Sequence, residues 1–216
     1  MTHPFELARP ERAYVRDALF GIELLDAVTL TRVSEGVEVV AEGLRQRKPI
    51  VNGGGVFVWL SEDLSRLQKV TIDPGLLPYE KIELDPSEVQ ELKVSTIELP
   101  PCAGYAFAAG IAVIRGLLVE DRTGRVPVRD ARVHLQWLDQ HGLFHDAPAA
   151  PHTDDKGGFA AILRLAAGDA PEIDPNGALT VRLRARRGAD ERGSPDLNLP
   201  QGRVADLTFA WDELLP

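Results

Sequence analysis

Apolar and polar positions alternate with a period near two along most of the chain. Phe20, Ile22 and Leu24 interleave with Gly21, Glu23 and Leu25, and Val37, Val39 and Ala41 with Glu38, Val40 and Glu42. Val56-Phe57-Val58-Trp59-Leu60 is a short β-branched and aromatic run after Gly53-Gly54-Gly55. Val70-Thr71-Ile72 runs into the turn Asp73-Pro74-Gly75, and Ile82, Leu84, Val94, Thr96, Ile97 and Leu99 close the first half. A second series covers 112–119, 131–137, 158–165, 179–185 and 204–209. Side chains on a strand point alternately to opposite faces, so this period predicts half-buried strands. Turn signals recur roughly every ten residues, the rhythm of β-sandwiches.

Two stretches predict short helical decorations of about two turns each. Ser61-Glu62-Asp63-Leu64-Ser65-Arg66-Leu67 opens with a capping Ser and acidic residues, and Pro86-Ser87-Glu88-Val89-Gln90-Glu91-Leu92 is similar. Pro100-Pro101-Cys102-Ala103-Gly104 is the best boundary, because Pro has no N–H to give a ladder. The expected fold is all-β, with two tandem immunoglobulin-like or transthyretin-like β-sandwich domains. Their expected limits are an arm over 1–18, a first sandwich over 19–100, a junction over 101–110 and a second sandwich over 111–216.

The halves also resemble each other. Gly36 to Ala41 aligns with Asp130 to Leu135 at an offset of 94, and Asn52 to Phe57 with Asp154 to Phe159 at an offset of 102. Two copies of one β unit are implied, the second with a longer loop between these strands. The second copy reads IRGLLVEDRTGRVPVRDARVHLQWL and then TDDKGGFAAILRL. Gly116, Val119, Asp121, Pro127, Val128, Ala131, Val133, Thr153, Asp154, Gly157 and Phe159 fill the slots of a G-x-V-x-D, P-V-x-G-A-x-V, T-D-x-x-G-x-F pattern. In this it resembles the carboxypeptidase regulatory-like domain, a transthyretin-like or CnaB-like sandwich. Asp130 stands where that pattern has Gly, and Gly158 is extra. The resemblance implies a fold and says little about function. It predicts Val133, Leu135, Trp137 and Phe159 in the core, with Arg132, His134 and Gln136 outward.

Composition narrows the function classes. The 24 Lys+Arg and 33 Asp+Glu leave a net charge of −9, and 44% of residues are hydrophobic. The chain can build a core and is not of disordered composition. An acidic balance argues against nucleic-acid partners, and no apolar run approaches the ~20 residues of a membrane helix. Cys102 is the single cysteine, which excludes an internal disulfide and a Cys-based zinc site. Charges at Glu6, Arg9, Glu11, Arg12, Arg16 and Asp17 interrupt the N-terminal segment. The expectation is cytoplasmic folding, compatible with incorporation into an exported particle. Residues 1–17 read as a loosely ordered arm, or as one that docks on a partner through Phe5, Leu7 and Tyr14.

Candidate chemistry is sparse. His134, His141, His145 and His152 share one window with Asp139, Asp146, Asp154 and Asp155. Imidazoles and carboxylates hold Zn, Fe or Ni, yet the spacing matches no ligand pattern, and a solvated polar loop is the plainer reading. Intradiol dioxygenases share the strand–turn words, but their Tyr and His-x-His ligands are missing here: no Tyr follows Tyr105 and no His follows His152. No Gly-x-Ser-x-Gly elbow exists, Gly53-Gly54-Gly55 lacks the Lys of a phosphate loop, and none of Lys48, Lys69, Lys81, Lys93 and Lys156 occupies a clear isopeptide position. No cofactor is expected.

Surfaces offer more. Arg182, Arg184 and Arg186 alternate along one strand, a stripe either balanced by neighbouring acids or docking an acidic partner. Phe209 and Trp211 in the apolar tail either cover one end of the sandwich or anchor in another subunit. The expected function is that of a non-catalytic structural or adaptor protein with protein partners, and the resemblance to carboxypeptidase regulatory-like domains implies a component of a phage-tail-like contractile assembly. The alternatives are metal binding by the 134–152 histidines and a carbohydrate-binding sandwich. Residues 1–102 carry −6 and residues 103–216 carry −3, so the acidity lies mainly in the first half.

Overall fold

The computed structural model describes residues 17–60, 63–91 and 93–216. Phe5, Leu7 and Tyr14 of the expected arm lie outside these, as do Ser61, Glu62 and Leu92. The chain is all-β. In the first half β1 (Ala18–Asp26) lies between β4 (Phe57–Leu60), antiparallel to it, and β7 (Val94–Leu99), parallel to it. β3 (Ile50–Val51) extends this sheet beyond β4. The second sheet has the order β2 (Glu38–Glu42), β5 (Lys69–Asp73), β6 (Ile82–Leu84).

The second half repeats the plan. β8 (Ala112–Val119) lies between β11 (Gly158–Leu163), antiparallel, and β15 (Val204–Ala210), parallel. The opposing sheet runs β10 (Phe144–Asp146), β9 (Arg132–Leu138), β12 (Ala178–Arg187), β13 (Asp190–Gly193). β14 (Leu197–Pro200) pairs with the start of β12. No ladder joins the halves among the described residues.

Each half closes its two sheets on its own apolar cluster. Phe20, Ile22 and Leu24 meet Val39, Ala41, Trp59, Val70 and Ile72 in the first, where Phe20 stacks on Trp59 at 4.5 Å. In the second, Val133, Leu135 and Trp137 of β9 and Leu179, Val181, Leu183 and Ala185 of β12 face Ile114, Leu118 and Phe159. The alternation is as expected: on β9, Arg132, His134 and Gln136 point outward. Phe159 is fully buried and stands opposite Gly116, where any Cβ would lie 1.9 Å from its ring.

The expected helical decorations shrink to single 3-10 turns, Leu64–Arg66 and Pro86–Glu88. Asp63 caps the first by accepting from the Ser65 N–H at 3.0 Å, so the expected cap at Ser61 is corrected by two residues. Seven residues are too few to repay helix nucleation without a buried face, and neither turn contains a buried residue.

Candidate functional site

The loops that aim side chains are built on one device. Asn52 Oδ1 accepts from the N–H groups of Gly54 and Val56, and Asp154 Oδ1 accepts from those of Lys156 and Gly158. These positions are all 102 residues apart, so the repeat extends to atomic detail. Asp139 and Asp174 do the same for His141 and Leu143 and for Asn176 and Ala178. Three residues after each acceptor comes a glycine with φ of 78° or 79°: Gly55, Gly142, Gly157 and Gly177. A type I turn followed by a left-handed Gly makes a three-residue hairpin loop, and the Asx side chain satisfies its interior donors.

The two halves meet at a polar clamp. Asp26, at the end of β1, is 4% exposed. Its Oδ2 accepts from the Tyr105 hydroxyl at 2.6 Å and the Tyr79 hydroxyl at 3.0 Å, and its Oδ1 from the Val28 and Thr29 N–H groups at 2.6 and 3.1 Å. Burial pushes this carboxyl up, but the four donors, Tyr105 foremost, bring it net below the usual carboxylate range. Burial and the Asp26 charge push Tyr79 up to about 12 and Tyr105 higher still. Arg164 of the second half donates to the Ala27 carbonyl at 3.0 Å and to Glu98 at 2.8 Å. The His152 N–H donates to Glu80 at 2.9 Å. Ala27, Val113, Ala149 and Ile162 pack into a small apolar cluster between these polar contacts.

A cleft of about 630 Å³ opens beside the clamp, lined by Tyr79, Glu80, Lys81, Cys102, Asp130 and His152 among others. Glu80 Oε1 is buried there without a hydrogen-bond partner. No three of His, Cys, Asp and Glu among the described residues are grouped so as to hold a metal ion.

The four histidines of the alternative metal reading form no group of three candidate ligands among the described residues. His134 sits outward on β9, its pKa pushed down by burial and by Arg132. His141 is exposed in the β9–β10 turn. His145 stacks on Trp137 at 4.7 Å and places Nε2 2.9 Å from Asp139 Oδ2. That bond, with the turn N–H groups, holds Asp139 down to about 2. His152 lies at the joint with Glu80.

Of the two readings of the tail, burial favours the one in which it covers an end of its own sandwich, and not the one in which Phe209 and Trp211 anchor a partner. Phe209 and Trp211 belong to the chain's own core, at 7% and 3% exposure. Arg187 and Arg192 cover Trp211 at 4.7 and 5.1 Å from its ring. Of the arginine stripe, Arg182 pairs with Asp196 and lies 4.0 Å over the Phe144 ring, and Arg184 pairs with Glu191 at 2.8 Å. Arg186 forms no such pair among the described residues. Sequence reasoning missed Asp26, Tyr79, Tyr105 and Arg164. A buried Asp ending an apolar strand was the one signal present.

No protein-family model matches the chain, and no curated protein matches it. Among solved structures, it is similar to the Bacillus anthracis TIE protein at 10% identity and a TM-score of 0.30, over 89% of this chain and 34% of that one. It therefore spans about a third of that protein's length. It is also similar to GBS52, the minor pilin of Streptococcus agalactiae, at 8% identity and a TM-score of 0.27, over 88% of this chain and 94% of that one. Likenesses of this size carry no functional argument.

Proposed function

We propose that the chain is a non-catalytic structural protein that docks on other proteins, with its two halves as sandwich domains held at one fixed angle. The observation that supports this reading is the clamp. Separating the halves would take from Arg164 both its acceptors, the Ala27 carbonyl and Glu98, and from Asp26 one of its four donors, the Tyr105 hydroxyl, and such charge-assisted bonds are stronger than neutral ones. Tandem domains otherwise move freely on their linkers. A spacer or adaptor needs a fixed angle; catalysis needs convergent groups in a cleft.

The finer form of the proposal is a cytoplasmic component of a phage-tail-like contractile assembly. It rests on the carboxypeptidase regulatory-like pattern of residues 111–166, a sandwich that recurs in such particles. The test is sedimentation of a native lysate containing the tagged chain. It should migrate in a particle far larger than a 216-residue monomer. Migration as a free monomer at low and high salt would overturn the proposal.

A further inference from the structure

We infer that Arg132 and Arg186 form a docking point for neighbouring carboxylates of an acidic protein partner, on the outer face of the five-stranded sheet. This deepens the docking reading and rests on it. β9 and β12 are antiparallel, and their register sets Arg186 directly opposite Arg132. Residues so paired share one face, and both side chains are exposed. His152 bridges to Arg132 from the other side, its Nδ1 3.8 Å from Glu80, so the two arginines stand between Glu191 and His152 in one row across the sheet.

Neither arginine side chain has a hydrogen bond or ion pair among the described residues. The nearby acids are already engaged. Asp196 holds Arg182, and Gln136 donates to Asp146 at 2.8 Å. Glu191 stands opposite Arg186 in the ladder, yet its carboxylate bonds Arg184 at 2.8 Å. Like charges directly opposite on a sheet are destabilising. Burial first, then Arg132 and last Arg186 disfavour His134 as a cation, against the opposing pull of Asp146 and Glu191.

Nothing in the fold requires arginine at these outward positions. Two guanidinium forks on side chains whose Cβ atoms stand about 5 Å apart suit two neighbouring carboxylates, each held by parallel N–H···O bonds. A phosphate polymer fits poorly, since Glu191, Asp196 and Asp146 interrupt the field and the chain carries −9 overall.

The test is fluorescence anisotropy with a labelled peptide of alternating Glu and Thr, titrated with wild type, Arg132→Gln/Arg186→Gln, and Lys48→Gln/Arg66→Gln. The last removes the same charge from exposed sites in the first half. The wild type should bind saturably, the Arg132/Arg186 variant at least tenfold more weakly, and the control within twofold of wild type. The Arg132/Arg186 variant should melt no lower than wild type, because a repulsion is removed. Equal losses in both variants, tighter binding to a duplex DNA probe, or no saturable binding by wild type would each overturn the inference. Sedimentation separates the two ideas: a particle-bound wild type that ignores the peptide sinks this inference alone, and a free monomer sinks the docking reading.

Discussion

Asp139 shows how one side chain absorbs the chemistry that its neighbourhood offers in sequence. Asp139 and His145 look like the start of a ligand set, but the carboxylate is spent. One oxygen closes a turn and the other holds His145 against Trp137. Its folded pKa of about 2 lies below the ordinary value of 3.8. A depressed carboxyl contributes stability above its unfolded pKa and loses it as pH falls through the folded one. Asp139→Asn should therefore unfold at lower denaturant than wild type at pH 6, with the difference closing between pH 4 and pH 2. Urea titrations across that range check this, and a gap constant with pH would contradict it. Arg186 makes the complementary point: its outward place was legible from alternation, but its lack of a partner was not. That depended on where Glu191 of β13 would send its carboxylate.

Among the elements, the hairpin loops carry the most transferable lesson. Four loops share an Asx acceptor and a left-handed glycine, and they differ in what surrounds the glycine. A Cβ on Gly157 would lie 2.3 Å from the Leu118 carbonyl oxygen, whereas one on Gly177 meets nothing within 4 Å. Gly177→Ala should cost only the left-handed penalty of about 1 kcal/mol, and Gly157→Ala about 3 kcal/mol or more once the clash is added. Urea unfolding of the two variants measures the gap, and equal costs would show that φ alone matters. The strands that were legible are those whose alternation is complete, such as Val133-His134-Leu135-Gln136-Trp137. β13 and β14 were not: Asp190–Gly193 lacks such a pattern, Leu197–Pro200 has only two apolar positions and ends on a Pro, and both take their strand form from pairing with β12. The helical words around 61–67 and 86–92 marked real turns, the first starting two residues late at Asp63. They could not show that no apolar face would extend them.

At the scale of the molecule, the deciding contacts join residues far apart in sequence. Tyr79 and Tyr105 reach Asp26 across 53 and 79 positions, and Arg164 reaches Ala27 across 137. No local pattern announces such contacts, so the Pro-rich junction read as a linker although its Tyr105 completes the clamp. The parallel β1–β7 and β8–β15 pairs make the two halves variations on one plan, and the docking proposal requires that the clamp hold them at one angle. Docking with defined geometry stands on that property. Small-angle X-ray scattering of the purified chain tests it most directly. The account predicts that one fixed arrangement of the two sandwiches fits the wild-type curve, unchanged between low and high salt. It also predicts that Asp26→Asn combined with Arg164→Ala requires a spread of inter-sandwich angles. A wild-type curve that itself requires such a spread would contradict the account.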